Sequence, residues 1–230
     1  MMEVKGNGNI VSREASVSTF IRLHIGCKGI IELHQSDEEK VVFETDENLL
    51  SYFAATNAGR TLYVSVESNL RKLVFTSCVI KIYLRQMNTL YVRNEGGNVV
   101  CPGKISLSEP IKITVQSVGN TELNLVVPAI KLLCQTEGNV TLRGACEKID
   151  INTMSEGNFD SSKLKAGELY IKNMAEGNVD VYAEKIIRMK HYGEGYLHYY
   201  GPAAVKDVLH YGEGEIKHMK DEATIEMKTQ

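Results

Sequence analysis

Apolar and polar residues alternate on both sides of a glycine that recurs through residues 87–220. Apolar residues stand eight and six positions before this glycine and two positions after it, with outward-facing residues of other types between them. An alternation with a period of two is typical of a strand buried on one face. The apolar positions before the turn are Ile111 and Ile113, Ile130 and Leu132, Ile149 and Ile151, Leu169 and Ile171, Ile187 and Met189; those after it are Val140, Phe159, Val179, Leu197 and Ile216.

The glycine repeats with a period near 19 residues. Successive separations are 22, 19, 19, 20, 18 and 19 residues, between Gly97, Gly119, Gly138, Gly157, Gly177, Gly195 and Gly214. Glu precedes the glycine in five of these turns, and Asn follows it in five. Because Gly and Asn tolerate positive φ, we interpret the motif as a turn that recurs at one place in each repeat. A period sustained over seven turns indicates a solenoid.

One such repeat is too short to bury its own apolar face, so neighbouring repeats must stack at about 4.8 Å. The sequence therefore predicts an all-β protein, a single-stranded parallel β-helix over residues 87–230 with a C-terminal cap. The last residues, DEATIEMKTQ (221–230), either add a polar strand over the final turn or fray.

The first third of the chain, residues 1–86, predicts a less regular, β-rich cap that continues into the solenoid as one structural unit. Residues 47–55, ENLLSYFAA, break the alternation between an acidic start and Gly59, which predicts a short helix. Strands are predicted at 20–25, 30–35, 41–46, 61–67 and 78–84.

Composition limits the range of functions. The 26 Lys and Arg residues nearly balance the 29 Asp and Glu residues, which argues against a nucleic-acid partner. No apolar stretch reaches the roughly 18 residues of a membrane helix. The start, MMEVKGNGNI, lacks the apolar core of a signal peptide, so we expect either an intracellular protein or a chain written without its leader. The cysteines have no metal-ligand spacing and are expected to be core thiols.

Three features together resemble the head GIN domain family of Bacteroidetes, whose members are described as auto-transporter adhesins. These are the opening GNGNI, the stretch GCKGIIELHQSDEEKVVFETDENLL and the recurring Gly-Asn turns. Family members typically write Gly-Ser-Gly-Asp or Gly-Ser-Gly-Asn at each turn, whereas Glu mostly replaces the serine here. The resemblance implies a right-handed β-helix with a capped N-terminal part and a place at the cell surface or outside the cell. A cytoplasmic location stays open, and the family supplies no catalytic residues.

Two sets of residues are candidate metal ligands. The column of Glu residues before the glycines could bind Ca²⁺ through its oxygens or could simply be solvated, and we favour the solvated column and no cofactor. The motif HYGEG occurs twice, which predicts that His191 stacks over His210 and Tyr192 over Tyr211. These residues could bind a transition metal, or they could continue the stacked column in which earlier turns have Met154 and Met174. We favour the column. The Glu column comprises Glu137, Glu156, Glu176, Glu194 and Glu213.

Aromatic residues in the last turns predict a contact surface, because tyrosine presents an apolar ring with a polar tip. The candidate binding residues are Tyr192, Tyr196, Tyr199, Tyr211, His191 and His210. The sequence therefore predicts a non-enzymatic adhesion or binding module for a polysaccharide or a surface protein. One alternative is a structural spacer that contacts identical copies as a homo-oligomer.

The other alternative is a pectinase-like hydrolase or lyase. Asp160 and Asp180 occupy equivalent outward positions in neighbouring repeats, and Arg143 lies one repeat below. Stacking would place these carboxylates closer than the roughly 6.5–9.5 Å that an inverting glycosidase needs. Uniform turns without long loops also favour a scaffold over a catalytic cleft.

Overall fold

A computed structural model describes residues 2–66, 71–94 and 96–220. The predicted C-terminal strand at 221–230 and the end of the predicted strand 61–67 lie outside these residues. The strands of the first third are β1 (Met2–Lys5), β2 (Ile10–Ser16), β3 (Arg22–Gly26), β4 (Ile30–Gln35), β5 (Lys40–Asp46), β6 (Phe53–Ala58), β7 (Thr61–Val66), β8 (Arg71–Val74) and β9 (Cys78–Leu84). The remaining strands are β10 (Thr89–Val92), β11 (Val99–Val100), β12 (Ile105–Ser106), β13 (Ile111–Val115), β14 (Thr121–Cys134), β15 (Val140–Thr153), β16 (Phe159–Asn173), β17 (Val179–Tyr182), β18 (Ile186–His191), β19 (Leu197–Tyr200), β20 (Ala204–His210) and β21 (Ile216–His218).

Equivalent strands of successive turns pair in parallel and in register. Ile130 of β14 faces Ile149 of β15, which faces Leu169 of β16. Identical apolar positions therefore stack on one another, and each turn covers the apolar edge of the one before it. This arrangement confirms the predicted β-solenoid, which has about six turns.

The stack has two broad faces that meet at the glycine turns. We call the face formed before the turn glycines the front face; its strand order is β7, β3, β10, β13, β14, β15, β16, β18, β20. The back face follows the turns, in the order β2, β5, β9, β4, β11, β14, β15, β16, β17, β19, β21. The long strands β14, β15 and β16 run from the back face into the front face.

The N-terminal strands join both faces. On the front face β3 pairs in parallel with β10, and on the back face β4 pairs in parallel with β11. Beyond β4 the back face continues through β9 into β5 and β2, which pair antiparallel. Parallel stacking thus gives way to antiparallel strands at this end of the back face.

The short helix predicted at 47–55 is present but ends earlier than predicted. A 3-10 helix covers only Glu47–Tyr52, and Phe53–Ala58 forms β6. Phe53 is 4% exposed and its ring centroid lies 5.5 Å from that of Phe43, so it is held in the core as a strand residue. Gly59, with φ +57, forms the turn of the antiparallel β6–β7 hairpin and is not a helix stop.

The opening GNGN segment is fastened to the cap by a buried carboxylate. Asp46 accepts hydrogen bonds from the N–H of Gly8 and the N–H of Thr76, each at 2.8 Å. Burial alone would raise the pKa of Asp46, but the donors of Thr76 and Gly8 outweigh it and hold that pKa below its usual value. One ionised side chain therefore links the N-terminal strand to two later segments.

The cysteines belong to the interior, as predicted. All five, each in a described part of the chain, are free thiols, and four of them are buried. Burial raises the pKa of Cys146 to about 12 and that of Cys101 to about 11. Neither thiol is therefore ionised near neutral pH, which is the behaviour of a small apolar group.

Candidate functional site

The turn glycines are required by close contact between turns, and the predicted positive φ is wrong for six of them. Of the seven, all of which are described, only Gly97 has a left-handed φ, at +99°. A Cβ on Gly177 would lie 2.6 Å from the carbonyl carbon of Gly157 and 2.7 Å from the carbonyl oxygen of Glu156. Real Cβ atoms essentially never approach within 3.0 Å, so only hydrogen fits there.

The asparagines that follow these glycines form a hydrogen-bonded ladder. The Asn158 Oδ1 atom accepts the backbone N–H of Asn178 at 2.8 Å, and the Asn178 Oδ1 atom accepts that of Tyr196 at 3.0 Å. The same contact links Asn98 to Asn120, Asn120 to Asn139 and Asn139 to Asn158. Asparagine therefore recurs in these turns because its side chain accepts a hydrogen bond from the next turn, and not only because it suits a bend.

Beside this ladder the turns form a shallow groove along one corner of the stack. One wall is formed by Gln116, Gln135 and Met154, the other by Val118, Glu137 and Glu156, and the buried residues Ser117 and Thr136 form the floor. The column three residues before each glycine continues past the groove and changes from polar to apolar to aromatic: Gln116, Gln135, Met154, Met174, Tyr192, Tyr211. Near Gln116 and Gln135 the groove deepens into a cleft of about 430 Å³.

Three predicted tyrosines are exposed in the last turns of the stack. Tyr192 and Tyr211 are 40% and 73% exposed, and their rings stack with centroids 5.9 Å apart. Tyr196, 51% exposed, takes the place of the ladder asparagine after Gly195 and stacks on His198 at 5.8 Å. We call Met154, Met174, Tyr192, Tyr196 and Tyr211, with the Glu column beside them, the corner surface.

Tyr199 does not belong to the corner surface. It lies at the inward position of β19 and is half-buried, with its ring stacked on that of His218 at 4.6 Å. Val181 precedes it in the same inward column. Its ring therefore extends the interior toward the last turn, and it is not available as a contact beside Tyr196.

His191 is also an interior residue, contrary to its predicted place on a binding surface. It is 0% exposed; its Nδ1 accepts from the Asn173 Nδ2 at 3.0 Å, and its Nε2 donates to the Gly214 carbonyl at 3.0 Å. The Asn173 orientation is fixed, because its Oδ1 accepts the Ala175 N–H at 2.9 Å. Burial lowers the pKa of His191, so the ring is neutral near pH 7.

His210 stacks on His191 in the final turn. Their ring centroids are 5.2 Å apart, and the Nε2 of His210 lies 2.8 Å from the same Gly214 carbonyl. Both ring nitrogens of His191 are occupied by protein partners. The stacked pair thus fits a structural column and offers no pair of free imidazole nitrogens to a metal.

The Glu column is solvent-exposed at each of its five positions. Within residues 2–66, 71–94 and 96–220 no three His, Cys, Asp or Glu side chains are grouped closely enough to hold a metal ion. Exposed like charges are screened by water and salt, so the repulsion between these glutamates is weak.

The candidate catalytic carboxylates lie on the back face as neighbours. Asp160 and Asp180 pair directly in register, at the distance of adjacent strands. Asp160 accepts from the Ser162 N–H at 2.8 Å and the Ser162 hydroxyl at 2.6 Å, while Asp180 accepts from the Tyr200 hydroxyl at 3.2 Å. Arg143 pairs in register with Lys163 and not with either Asp.

Sequence reasoning missed the partners of Asp180. His198 places its Nδ1 atom 3.3 Å from the Asp180 carboxylate, beside the Tyr200 hydroxyl. These residues are 18 and 20 positions away in the chain. The repeat period itself was the available signal, because residues one period apart lie in adjacent turns.

A family model described as "putative auto-transporter adhesin, head GIN domain" matches residues 19–203. The chain belongs to this family. No curated protein matches it. Its fold is similar to that of a protein from Bacteroides fragilis described as a putative adhesin, with a TM-score of 0.88 and 20% identity over 94% of this chain and 100% of the other.

Two structures from Parabacteroides distasonis share the fold more distantly. One is described as a putative adhesin, with a TM-score of 0.68 and 22% identity over 94% of this chain and 100% of that one. The other is described as a putative lipid binding protein, with a TM-score of 0.68 and 18% identity over 94% and 99% of the two chains. At these identities the likeness to the three structures concerns the fold alone. Over the described part of this chain, no helix is long and apolar enough to cross a membrane.

Proposed function

We propose that this chain is a non-enzymatic adhesion or binding module that contacts a glycan or a surface protein through the corner surface. The observation that carries the proposal is the run of exposed methionine and tyrosine side chains along one corner. Met154, Tyr192, Tyr196 and Tyr211 are each at least 39% exposed. Exposed aromatic residues with polar tips are enriched where proteins bind partners.

The rigidity of the corner supports the same function. The corner surface is built on hydrogen-bonded turns, with the Asn158 to Asn178 contact directly below Tyr196. A backbone held by a stacked scaffold loses little conformational entropy when a partner binds. The Glu column beside them supplies acceptors for sugar hydroxyls or for basic side chains of a protein.

The family supports a surface role, and we expect the protein to act at the cell surface or outside the cell. A head GIN domain with the description of an adhesin fits a module whose task is to hold a partner. The glycan or protein that it holds is part of our proposal.

The test is a binding screen over immobilised glycans and surface proteins, followed by substitution of matched tyrosines. Tyr192→Ala removes a ring that is 40% exposed at the corner, and Tyr63→Ala removes one that is 42% exposed on the front face. Each ring also contacts a neighbouring ring, so the two changes are comparable in the free protein. We expect Tyr192→Ala to weaken binding about tenfold or more, as truncation of a central aromatic contact does.

Equal affinity of the two variants for the partner would refute the corner as the contact surface. The structural-spacer alternative predicts a different result, namely no partner in the screen and self-association that rises with protein concentration. The pectinase-like alternative predicts release of shorter sugars, which Asp160→Asn or Asp180→Asn would abolish.

A further inference from the structure

Two neighbouring clefts on the front face form a groove that is separate from the corner surface. They have volumes of about 590 Å³ and 350 Å³. Lys112, Lys131 and Asp150 line both, so the clefts are continuous across three successive turns. Ligand sites in proteins have volumes of this order.

The groove is strongly cationic in a protein whose net charge is −3. Its walls carry Arg22, Lys112, Lys131, Lys148 and Lys172, and Asp150 is the one carboxylate among the described residues that line it. A concave surface with one sign of charge concentrates ligands of the other sign. The groove therefore attracts an anion, whereas the corner surface carries the Glu column.

Two lysines of the groove have carboxylate residues opposite them in adjacent strands, Asp150 beside Lys131 and Glu168 beside Lys148, but without close contact. In the ranges that the structure describes, the ammonium groups of Lys112, Lys131, Lys148 and Lys172 form no ion pair with a carboxylate. Arg22 donates from its Nε to the Thr61 hydroxyl at 2.8 Å, a neutral partner. These charges remain free to pair with a ligand.

The groove also provides acceptors and a regular spacing. The acceptors are the two carboxylate oxygens of Asp150, which lines both clefts. Lys112 and Lys131 pair in register, so their backbones lie about 4.8 Å apart. A ligand that suits this lining has repeated negative charges and also hydroxyl donors.

We propose that the front-face groove binds an acidic polysaccharide, one whose sugars each carry a carboxylate. The lysines would pair with successive carboxylates, and Asp150 would accept hydroxyl hydrogens. A nucleic acid fits less well, because its phosphate groups offer no hydroxyl donors to Asp150. An anionic membrane fits less well, because the charges lie in a concave groove. This inference goes beyond the proposed function, because it adds a second binding surface to the module.

The test is calorimetric titration with hexagalacturonate and, in parallel, with an uncharged hexasaccharide. Lys112→Gln/Lys131→Gln removes two cations of the groove, and Lys163→Gln/Lys165→Gln removes two exposed cations elsewhere, so both variants change the net charge equally. We expect the groove variant to lose about tenfold or more in affinity for hexagalacturonate and the control variant to lose less than about twofold. Urea midpoints of both variants show that each is folded.

Asp150→Asn gives a change of the opposite sign. Asn keeps an acceptor oxygen but removes the one negative charge of the groove, so we expect hexagalacturonate to bind about two- to fivefold more tightly. The gain should shrink as salt is raised, because screening weakens charge interactions. A gain of affinity cannot result from a damaged fold.

Four results would overturn the inference. They are equal losses in the groove and control variants, equal binding of the uncharged sugar, no effect of Asp150→Asn at low salt, and preferential binding of a single-stranded RNA or of phosphatidylserine vesicles. If hexagalacturonate fails to bind while a Tyr192-dependent partner still binds, only this inference fails. If no glycan or surface protein binds at all, the proposed function fails with it.

Discussion

Substitution of a turn glycine tests the contact between turns. In Gly177→Ala the new methyl group would meet the backbone of the turn below, 2.6 Å from the Gly157 carbonyl carbon and closer still to its oxygen. That carbonyl cannot withdraw freely, because its turn is tied to the next one by the hydrogen bond from the Phe159 N–H to the Asn178 carbonyl, at 2.9 Å. The methyl group therefore forces the two turns apart.

The expected cost has two parts. Inserting a methyl group into a packed site costs about 1–3 kcal/mol. Weakening one adjacent hydrogen bond of the turn adds about 0.5–1.5 kcal/mol. We therefore expect Gly177→Ala to lower the free energy of unfolding by about 2–4 kcal/mol, which lowers the urea midpoint by about 1 M at the m-value of a protein of this size.

Gly26→Ala is the matched control. No atom lies within 4 Å of a Cβ built on Gly26, and its φ is not left-handed. This change should alter stability by less than about 0.5 kcal/mol. Gly177→Asn separates the two explanations of the turn, because Asn tolerates positive φ but still carries a Cβ. We expect Asn to be at least as damaging as Ala at this position. Equal urea midpoints for Gly177→Ala and Gly26→Ala would refute the reasoning.

Three further predictions concern hydrogen bonds and charge. Asn158→Ala removes the acceptor of the Asn178 N–H and should lower the free energy of unfolding by about 0.5–1.5 kcal/mol in urea titrations, with no change for an exposed Lys163→Ala control. Asp46→Asn should lower the free energy of unfolding by about 1–3 kcal/mol at pH 7 and speed amide exchange at Gly8 and Thr76. Since the folded pKa of Asp46 is lowered, the stability advantage of the wild type should vanish as pH falls below the ordinary value of 3.8. An advantage that persists in acid would contradict this. The folded pKa of His191 is lowered from 6.5, so the unfolded chain binds the proton first, and the free energy of unfolding should fall below pH 6.5 by up to about 1.4 kcal/mol per pH unit. The thermal midpoint of His191→Gln should therefore depend less on pH than that of the wild type. An unchanged pH dependence would count against a neutral buried ring.

The stacking of the turns could be predicted from the chain because it depends on repeated residue types. Ile130, Ile149 and Leu169 recur at one period, and they face one another in adjacent strands. A parallel stack keeps this register over many turns, because a shift of one residue would expose every apolar side chain. The alternation thus determines both the strand pairing and the inward face.

The role of the turn residues could not be predicted in the same way. Gly and Asn suit two different requirements, a left-handed φ and a contact with the turn below. Because either requirement selects the same residue types, the sequence does not distinguish them. Only the positions of the carbonyl of Gly157 and the N–H of Asn178 distinguish them. The end of the helix predicted at 47–55 was placed too late for a similar reason, because burial of the Phe53 ring holds that residue in a strand.

Part of the site could have been assigned more accurately from the alternation alone. The residues eight and six positions before each turn glycine face inward, so the residue four positions before it faces inward too. Before Gly195 this residue is His191. Tyr199, four positions after Gly195, follows the inward Leu197 by the same rule. The corner itself was harder to foresee, because its exposed column starts with glutamines and becomes aromatic only in the last turns.

The most direct test of a non-enzymatic binding module is to follow the length of a bound glycan over time. The glycan that binds most tightly in a Tyr192-dependent manner would be incubated with the protein, with calcium and then with a chelator, and analysed by mass spectrometry. We predict that it stays intact while Tyr192→Ala releases it. Shortening of the glycan by the wild-type protein, abolished by Asp160→Asn or Asp180→Asn, would contradict the account and establish an enzyme.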